Sequence, residues 1–228
     1  MNRVFALLIC FFTYQSISAQ VIELEQDVNA DTVISNFGKN RKHFFSSYIG
    51  VGLLPGQIDN DSIQLKSGES TRFSYGLYYK YRVSNFYSIV SSLNYGLTQF
   101  EFETSDPVKY NRLNVNDVNL EIANRFNFGK RGNRIGNYLE LGISGDYVFH
   151  TKLSTKSDVE DPTANHTKSQ LILTGIKYIE KPNYSVHARV GFNKLVITAD
   201  YRLSDLTNNE IDFDLPPLAI GVRLDFGA

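Results

Sequence analysis

The stretch Pro217-Leu218-Ala219-Ile220-Gly221-Val222-Arg223-Leu224-Asp225-Phe226 decides how the rest of the chain is read. Leu218, Ile220, Val222, Leu224 and Phe226 take every second position, and Ala219, Gly221, Arg223 and Asp225 fill the other phase. Alternate side chains of a β-strand point to opposite faces, so this segment is apolar on one face and small or charged on the other. One such strand also suits a soluble sandwich. The pattern recurs along the chain behind an export signal, and together these features predict a barrel whose apolar face meets lipid.

Working backward from this strand, the same alternation returns seven times. Phe45 to Leu54 is a first strand, and Phe73 to Val83 a second with apolar or aromatic residues at every odd position. The third runs from Phe86 to about Phe102, showing Tyr87, Ile89, Leu93, Tyr95 and Leu97 on one face. In the fourth, Val118, Leu120, Ile122, Phe126 and Phe128 oppose Asn119, Glu121, Ala123, Arg125 and Asn127. The fifth sets Leu139, Leu141, Ile143, Tyr147 and Phe149 against Tyr138, Glu140, Gly142, Ser144 and Asp146. Tyr184, Val186, Ala188, Val190 and Phe192 mark the sixth, Asn193-Lys194 a turn, and Leu195 to Leu203 the seventh.

The connections alternate between long polar loops (55–69, 103–107, 151–169, 204–216) and short turns (84–85, 129–134, 193–194). Outer-membrane barrels carry short periplasmic turns and long outward loops on an even number of antiparallel strands. The expected fold is therefore all-β: an eight-stranded antiparallel up-and-down transmembrane β-barrel with both termini periplasmic. Leu171 to Ile179 reads as an outward extension of the sixth strand. Alternatively it is itself the sixth, and Tyr184 to Leu203 forms one bulged seventh strand.

The N-terminus sets the compartment. Arg3, the largely apolar run Val4 to Tyr14 and Ile17-Ser18-Ala19 form the charged, apolar, small-residue order of a secretory signal, cleaved after Ala19. The apolar run is too short for a membrane-spanning helix. Cys10 lacks the preceding small residue of a lipidation signal. Residues 1–19 are thus the signal peptide, 20–42 a periplasmic arm with a short strand at Val21 to Leu24, and 43–228 the barrel. Cys10 is the single cysteine, so the mature chain has no disulfide, thiolate metal site or cysteine nucleophile. A formal charge of −1 gives no reason to expect nucleic acid. Fourteen Tyr and sixteen Phe with no Trp suit strands and membrane interfaces.

Several of these segments carry a family likeness. The motifs Asn124-Arg125-Phe126-Asn127-Phe128-Gly129, Asn183-Tyr184-Ser185-Val186, Tyr201-Arg202-Leu203 and Leu215-Pro216-Pro217-Leu218, with the signal and the Tyr-rich strands, resemble the porin-like outer-membrane β-barrel family of Bacteroidetes. A relative in that family is a barrel associated with type IX secretion. The resemblance spans nearly all of the mature chain and implies fold and location; it supplies no site residues.

If the apolar phase faces lipid, the other phase faces the lumen. That places Lys80, Arg82, Arg125, Arg189, Arg202 and Arg223 inside with Glu121, Glu140, Asp146, Asp200 and Asp225. Isolated ions cost several kcal/mol out of water, and eight strands leave an interior just wide enough for side chains. The near-balanced set therefore predicts a cross-linked polar core instead of an open channel. A soluble barrel would invert this, with charges outside and aromatics inside.

Catalytic and metal chemistry have thin support. Among His43, His150, His166 and His187, only His187 has a hydroxyl two residues along its face, Ser185, and a candidate orienting acid, Asp200. Such pairs arise readily by chance in strands. Asp59-Asn60-Asp61 and Asp158, Glu160 and Asp161 offer oxygen ligands, but neither group matches the calcium-loop pattern. Asn165-His166-Thr167 fits the short glycosylation acceptor pattern, which means little in a bacterial barrel. The expectation is a non-enzymatic monomer without cofactor or metal, structural or binding through its loops. Its partners would be outer-membrane lipid, the barrel-assembly machinery through the C-terminal strand, and an envelope protein or surface ligand on the loops. The rivals are a narrow diffusion channel, a lipid-modifying enzyme using His187, and a soluble periplasmic barrel holding an apolar ligand.

Overall fold

The computed structural model describes residues 35–58, 64–66, 68–103, 108–129, 132, 134–161, 164–176, 178–179, 182–208 and 214–227. The signal, the arm up to residue 34 with its expected strand at Val21 to Leu24, and Asp59-Asn60-Asp61 lie outside these residues. So do the side chains of residues 108–110 and 157–169, including Asp158, Glu160, Asp161 and the glycosylation motif.

Nine strands occur among the described residues: β1 (His43–Leu53), β2 (Thr71–Arg82), β3 (Tyr87–Glu101), β4 (Val108–Phe128), β5 (Asn137–Asp161), β6 (Ala164–Thr174), β7 (Asn183–Phe192), β8 (Leu195–Arg202) and β9 (Leu218–Asp225). The strands all pair antiparallel, in the sheet order β4-β3-β2-β1-β9-β8-β7-β5-β6, so that β9 pairs with β1 and β7 with β5, while β4 also joins β5. Eight of them, all but β6, close into a barrel. The closing seam pairs Tyr48–Leu53 of β1 with Asp225–Ile220 of β9.

Two expectations need correction. The polar region 151–169 is not a loop: β5 continues to Asp161, and β6 folds back on it from Lys152↔Thr174 to Asp161↔Ala164. Likewise β4 begins at Val108, ten residues before its apolar alternation. Together these segments form a three-stranded blade extending the barrel wall past its rim. A strand outside an apolar medium needs no apolar face toward water, and the apolar residues at the base of the blade, Leu113, Val115 and Leu153, instead join a buried cluster. The second correction concerns Leu171 to Ile179. Its first four residues belong to β6 and pair with β5, so they do not extend the sixth barrel strand. Nor do residues 184–203 form one bulged strand. A tight turn at Asn193 (φ 59°) and Lys194 separates β7 from β8.

Alternation sorts the barrel into an inverted protein. Ile143 on β5 is 64% exposed, whereas Arg125 and Glu140 on β4 and β5 are 0% exposed. Outward side chains stack across the wall, as in Leu77↔Leu93, Ile122↔Ile143, Val190↔Ile197 and Ile49↔Leu224. Their order along the strands is equally regular. Near the short turns lie Phe45, Tyr79, Tyr81, Tyr87, Phe126, Phe128, Phe192 and Phe226. Near the long connections lie Phe73, Tyr75, Tyr95, Tyr147, Phe149, Tyr184 and Tyr201. Between these two aromatic girdles the exposed residues are mostly Leu, Ile and Val.

Candidate functional site

Inward-facing side chains fill the barrel in layers, beginning at the turn end. There Phe44, Tyr48, Tyr78, Val90, Ala123, Ile135, Tyr138 and Val196 form a buried cluster. Cations are threaded through it. The Arg125 guanidinium lies 3.9 Å from the Tyr138 ring centre, Arg223 lies 4.4 Å from that of Tyr48, and Lys80 Nζ lies 5.1 Å from that of Phe44. Aromatic faces stabilise desolvated cations, and each arginine also has its own carboxylate. Arg125 Nη2 is 2.7 Å from Glu140 Oε2, and Arg223 Nε is 2.9 Å from Asp225 Oδ1. Inward glycines make room for the rings. Tyr138 on β5 lies across Gly191 of β7, its register partner, where any Cβ would collide with it.

Above this layer, Arg189 acts as a hub. Its Nη1 and Nη2 donate to Glu121 Oε2 and Oε1 at 2.7 and 2.8 Å, to Glu140 Oε1 at 3.1 Å and to Asp200 Oδ1 at 3.3 Å. Glu121 also accepts from Ser92 Oγ at 2.6 Å and Asn94 Nδ2 at 3.1 Å. A third layer joins Arg72 Nη2 to Asp117 Oδ1 at 3.0 Å, with Asp146 Oδ1 4.0 Å away. Asp146 receives Asn119 Nδ2 on one oxygen and Ser185 Oγ, at 3.0 Å, on the other. A cavity of about 100 Å³ lies beside the second and third layers, lined by Arg72, Asp117, Asp146, Arg189, Asp200 and Arg202 among others.

Both ends are covered. At the long-connection end, Leu54, Ile58, Leu65, Phe100, Phe102, Leu113, Val115, Val148, Ile176, Ile179, Leu206 and Leu215 form an apolar cluster over the lumen. Arg202 fastens the last connection to it, donating to Asp214 Oδ2 at 2.8 Å and the Leu215 carbonyl at 2.5 Å. Asp214 Oδ1 in turn accepts from the backbone N–H groups of Leu206 and Thr207. At the turn end, residues 36–42 form a compact turn ahead of β1. Lys80 Nζ donates to its Lys39 carbonyl, Arg82 Nη1 donates to Asn40 Oδ1, and Asn40 Nδ2 reaches the Gly132 carbonyl.

Of the eleven expected lumen charges, Glu121, Arg125, Glu140, Asp146, Arg189, Asp200, Arg223 and Asp225 lie together in the interior. Lys80, Arg82 and Arg202 serve the two ends, binding the segments that cover them. Arg72 and Asp117 were missed. Both fall on the lumen phase of β2 and β4, one residue beyond where apolar alternation begins, so extending that phase by a single step finds them.

The catalytic constellation does not assemble. His187 pairs in register with Asp200, but the Ser185 hydroxyl donates to Asp146. Ligand atoms of Glu121, His187 and Asp200 do lie within 4.8 Å of one another. Yet Arg189 occupies both oxygens of Glu121, and Ser92 and Asn94 take the remaining lone pairs. A cation would have to displace that guanidinium.

No protein family and no curated protein matches the chain. Among solved structures, the attachment invasion locus protein Ail of Yersinia pestis is similar at 17% identity and a TM-score of 0.40, covering 81% of this chain and 99% of that one. Ail in complex with the heparin analogue sucrose octasulfate is similar at 16% identity and a TM-score of 0.34, covering 79% and 95%. Likeness at this level carries nothing about activity.

Proposed function

We propose that this chain is an integral outer-membrane β-barrel, closed to solutes, that acts as a structural or binding protein through its outward connections and the β4–β5–β6 blade. The observation that carries this is the inversion of the wall: two aromatic girdles flank an aliphatic band outside, while charges fill the inside. Water would reverse both placements. An apolar band edged by aromatic residues is what a bilayer selects. Barrel strands of 10 to 12 residues, as in β1, β2 and β7, are long enough to cross when tilted.

Against the channel reading stand the ionic layers, the apolar cover at one mouth and the 36–42 turn at the other. Against lipid-modifying catalysis stands the diversion of Ser185 to Asp146. The resemblance to the porin-like family of Bacteroidetes, with its type IX secretion relative, favours an envelope partner on the blade. The C-terminal strand, β9, would be the element read by the barrel-assembly machinery.

Fractionation followed by electrophoresis with and without boiling tests the proposal. Recovery in the outer membrane, with the unboiled band migrating faster, is the expected result; a soluble protein without a mobility shift would refute it. Planar-bilayer recordings of the same preparation should be silent, and discrete conductance steps would restore the channel.

A further inference from the structure

Charge is unevenly distributed between the two ends of the barrel. The turn end carries Lys39, Arg41, Lys42, Arg82, Arg134 and Lys194. Arg41, Lys42, Arg134 and Lys194 are exposed, and none of the six is ion-paired with a carboxylate among the described residues. The acids nearest that end, Glu140 and Asp225, are buried against Arg125 and Arg223. No exposed Asp or Glu occurs there among the described residues.

These cations sit on a built rim. The Asn193 N–H donates to the Gly136 carbonyl at 3.0 Å, joining the β7–β8 turn to the β4–β5 turn. The Asp225 N–H donates to the Lys194 carbonyl at 2.9 Å, and the Arg82 N–H to the Lys42 carbonyl at 2.8 Å. Lys42 Nζ lies 5.6 Å from the ring centre of Tyr81, an outward residue of the lower girdle. The basic ring is therefore continuous with the aromatic belt. Long cationic side chains that rest an apolar stem on such a belt carry the ammonium to headgroup level.

The geometry points to this rim as a binding ring for anionic phospholipid headgroups of the leaflet that surrounds the turns. The inference rests on the membrane reading above and adds to it the lipid chemistry at one face. A phosphodiester anion at the belt meets unpaired cations and no competing exposed carboxylate. One such cation contributes about 1 kcal/mol near a surface, or roughly fivefold in association. The sequence offers one rival occupant, the stretch 20–34, which holds Glu23, Glu25, Asp27 and Asp31 and no Lys or Arg.

The test uses the full mature chain in phosphatidylcholine vesicles and measures the association of spin-labelled phosphatidylglycerol against spin-labelled phosphatidylcholine. Phosphatidylglycerol should associate about fivefold more strongly. That excess should vanish in high salt and in the combined variant Arg41→Ser, Lys42→Ser, Arg134→Ser, Lys194→Ser. The unboiled band of that variant should keep its fast mobility, showing that the barrel has folded. Equal association of both lipids with the wild type, or an excess that survives in the variant, overturns the proposal. So does an excess that emerges only when Glu23 and Glu25 become Gln and Asp27 and Asp31 become Asn, which would assign the ring to the chain's own acidic segment. A wild-type chain that never inserts as a heat-modifiable barrel would instead bring down the membrane reading, and this inference with it.

Discussion

Replacing Arg189 with Met should destabilise the barrel by leaving a buried carboxylate without its guanidinium. Arg189 touches three carboxylates, and they do not suffer equally from its loss. Glu140 keeps Arg125 at 2.7 Å, and the Asp200 side chain is one-third exposed to the cavity. The burden falls on Glu121, which is buried and left with Ser92 and Asn94 as donors. Stranding one buried partner of an ion pair costs about 3–5 kcal/mol. Adding Glu121→Gln removes the stranded charge while keeping a group that accepts from Ser92. The double variant should therefore lie within about 1–2 kcal/mol of wild type, the scale of one or two lost hydrogen bonds. Equilibrium urea unfolding in vesicles, followed by far-UV circular dichroism and by the fraction of fast-migrating band, reads both variants. The reasoning fails if Arg189→Met matches wild type, or if the two substitutions simply add; contacting residues in one network should couple.

Two further outcomes follow from the packing of the wall. Gly191→Val should prevent a heat-modifiable barrel from forming, because a Cβ there collides with the Tyr138 ring, whereas Gly145→Ala, with nothing within 4 Å, should leave the gel shift unchanged. Equal behaviour of the two would mean that Tyr138 is not packed across β7. Leu120→Arg, on the exposed aliphatic band, should cost about 2–4 kcal/mol in vesicles. A cost near zero in the same unfolding assay would place that face in water.

The barrel wall was readable because a two-residue period survives any error in where a strand ends. Its register also follows from short turns: with Asn193-Lys194 as the turn, Phe192 must face Leu195 and Arg189 must face Thr198. The lumen set was legible as a phase, but its partners were not. Glu140 faces Arg125 on one side and Arg189 on the other, a pairing visible only once β4, β5 and β7 are aligned. The blade escaped because 151–169 holds few apolar residues and no two-residue apolar period, and a polar run without a period reads as loop. The apolar cover escaped for the opposite reason. Ile58, Leu65, Leu206 and Leu215 are scattered singly through polar stretches, and only folding gathers them.

One strand runs through both halves of this architecture. β5 contributes Glu140 and Asp146 to the lumen, then leaves the wall as the middle strand of the blade, roughly 80 Å of extended chain in all. Its ladder with β4 reaches from Phe128↔Asn137 to Val108↔Ser157. A pull along that axis loads the rungs in parallel, as a shear joint does, whereas a sideways pull on β6 breaks them in succession, like peeling tape. A partner gripping the blade tip along the strand direction would thus be tethered to the whole wall, and one gripping its edge only to the outermost hairpin.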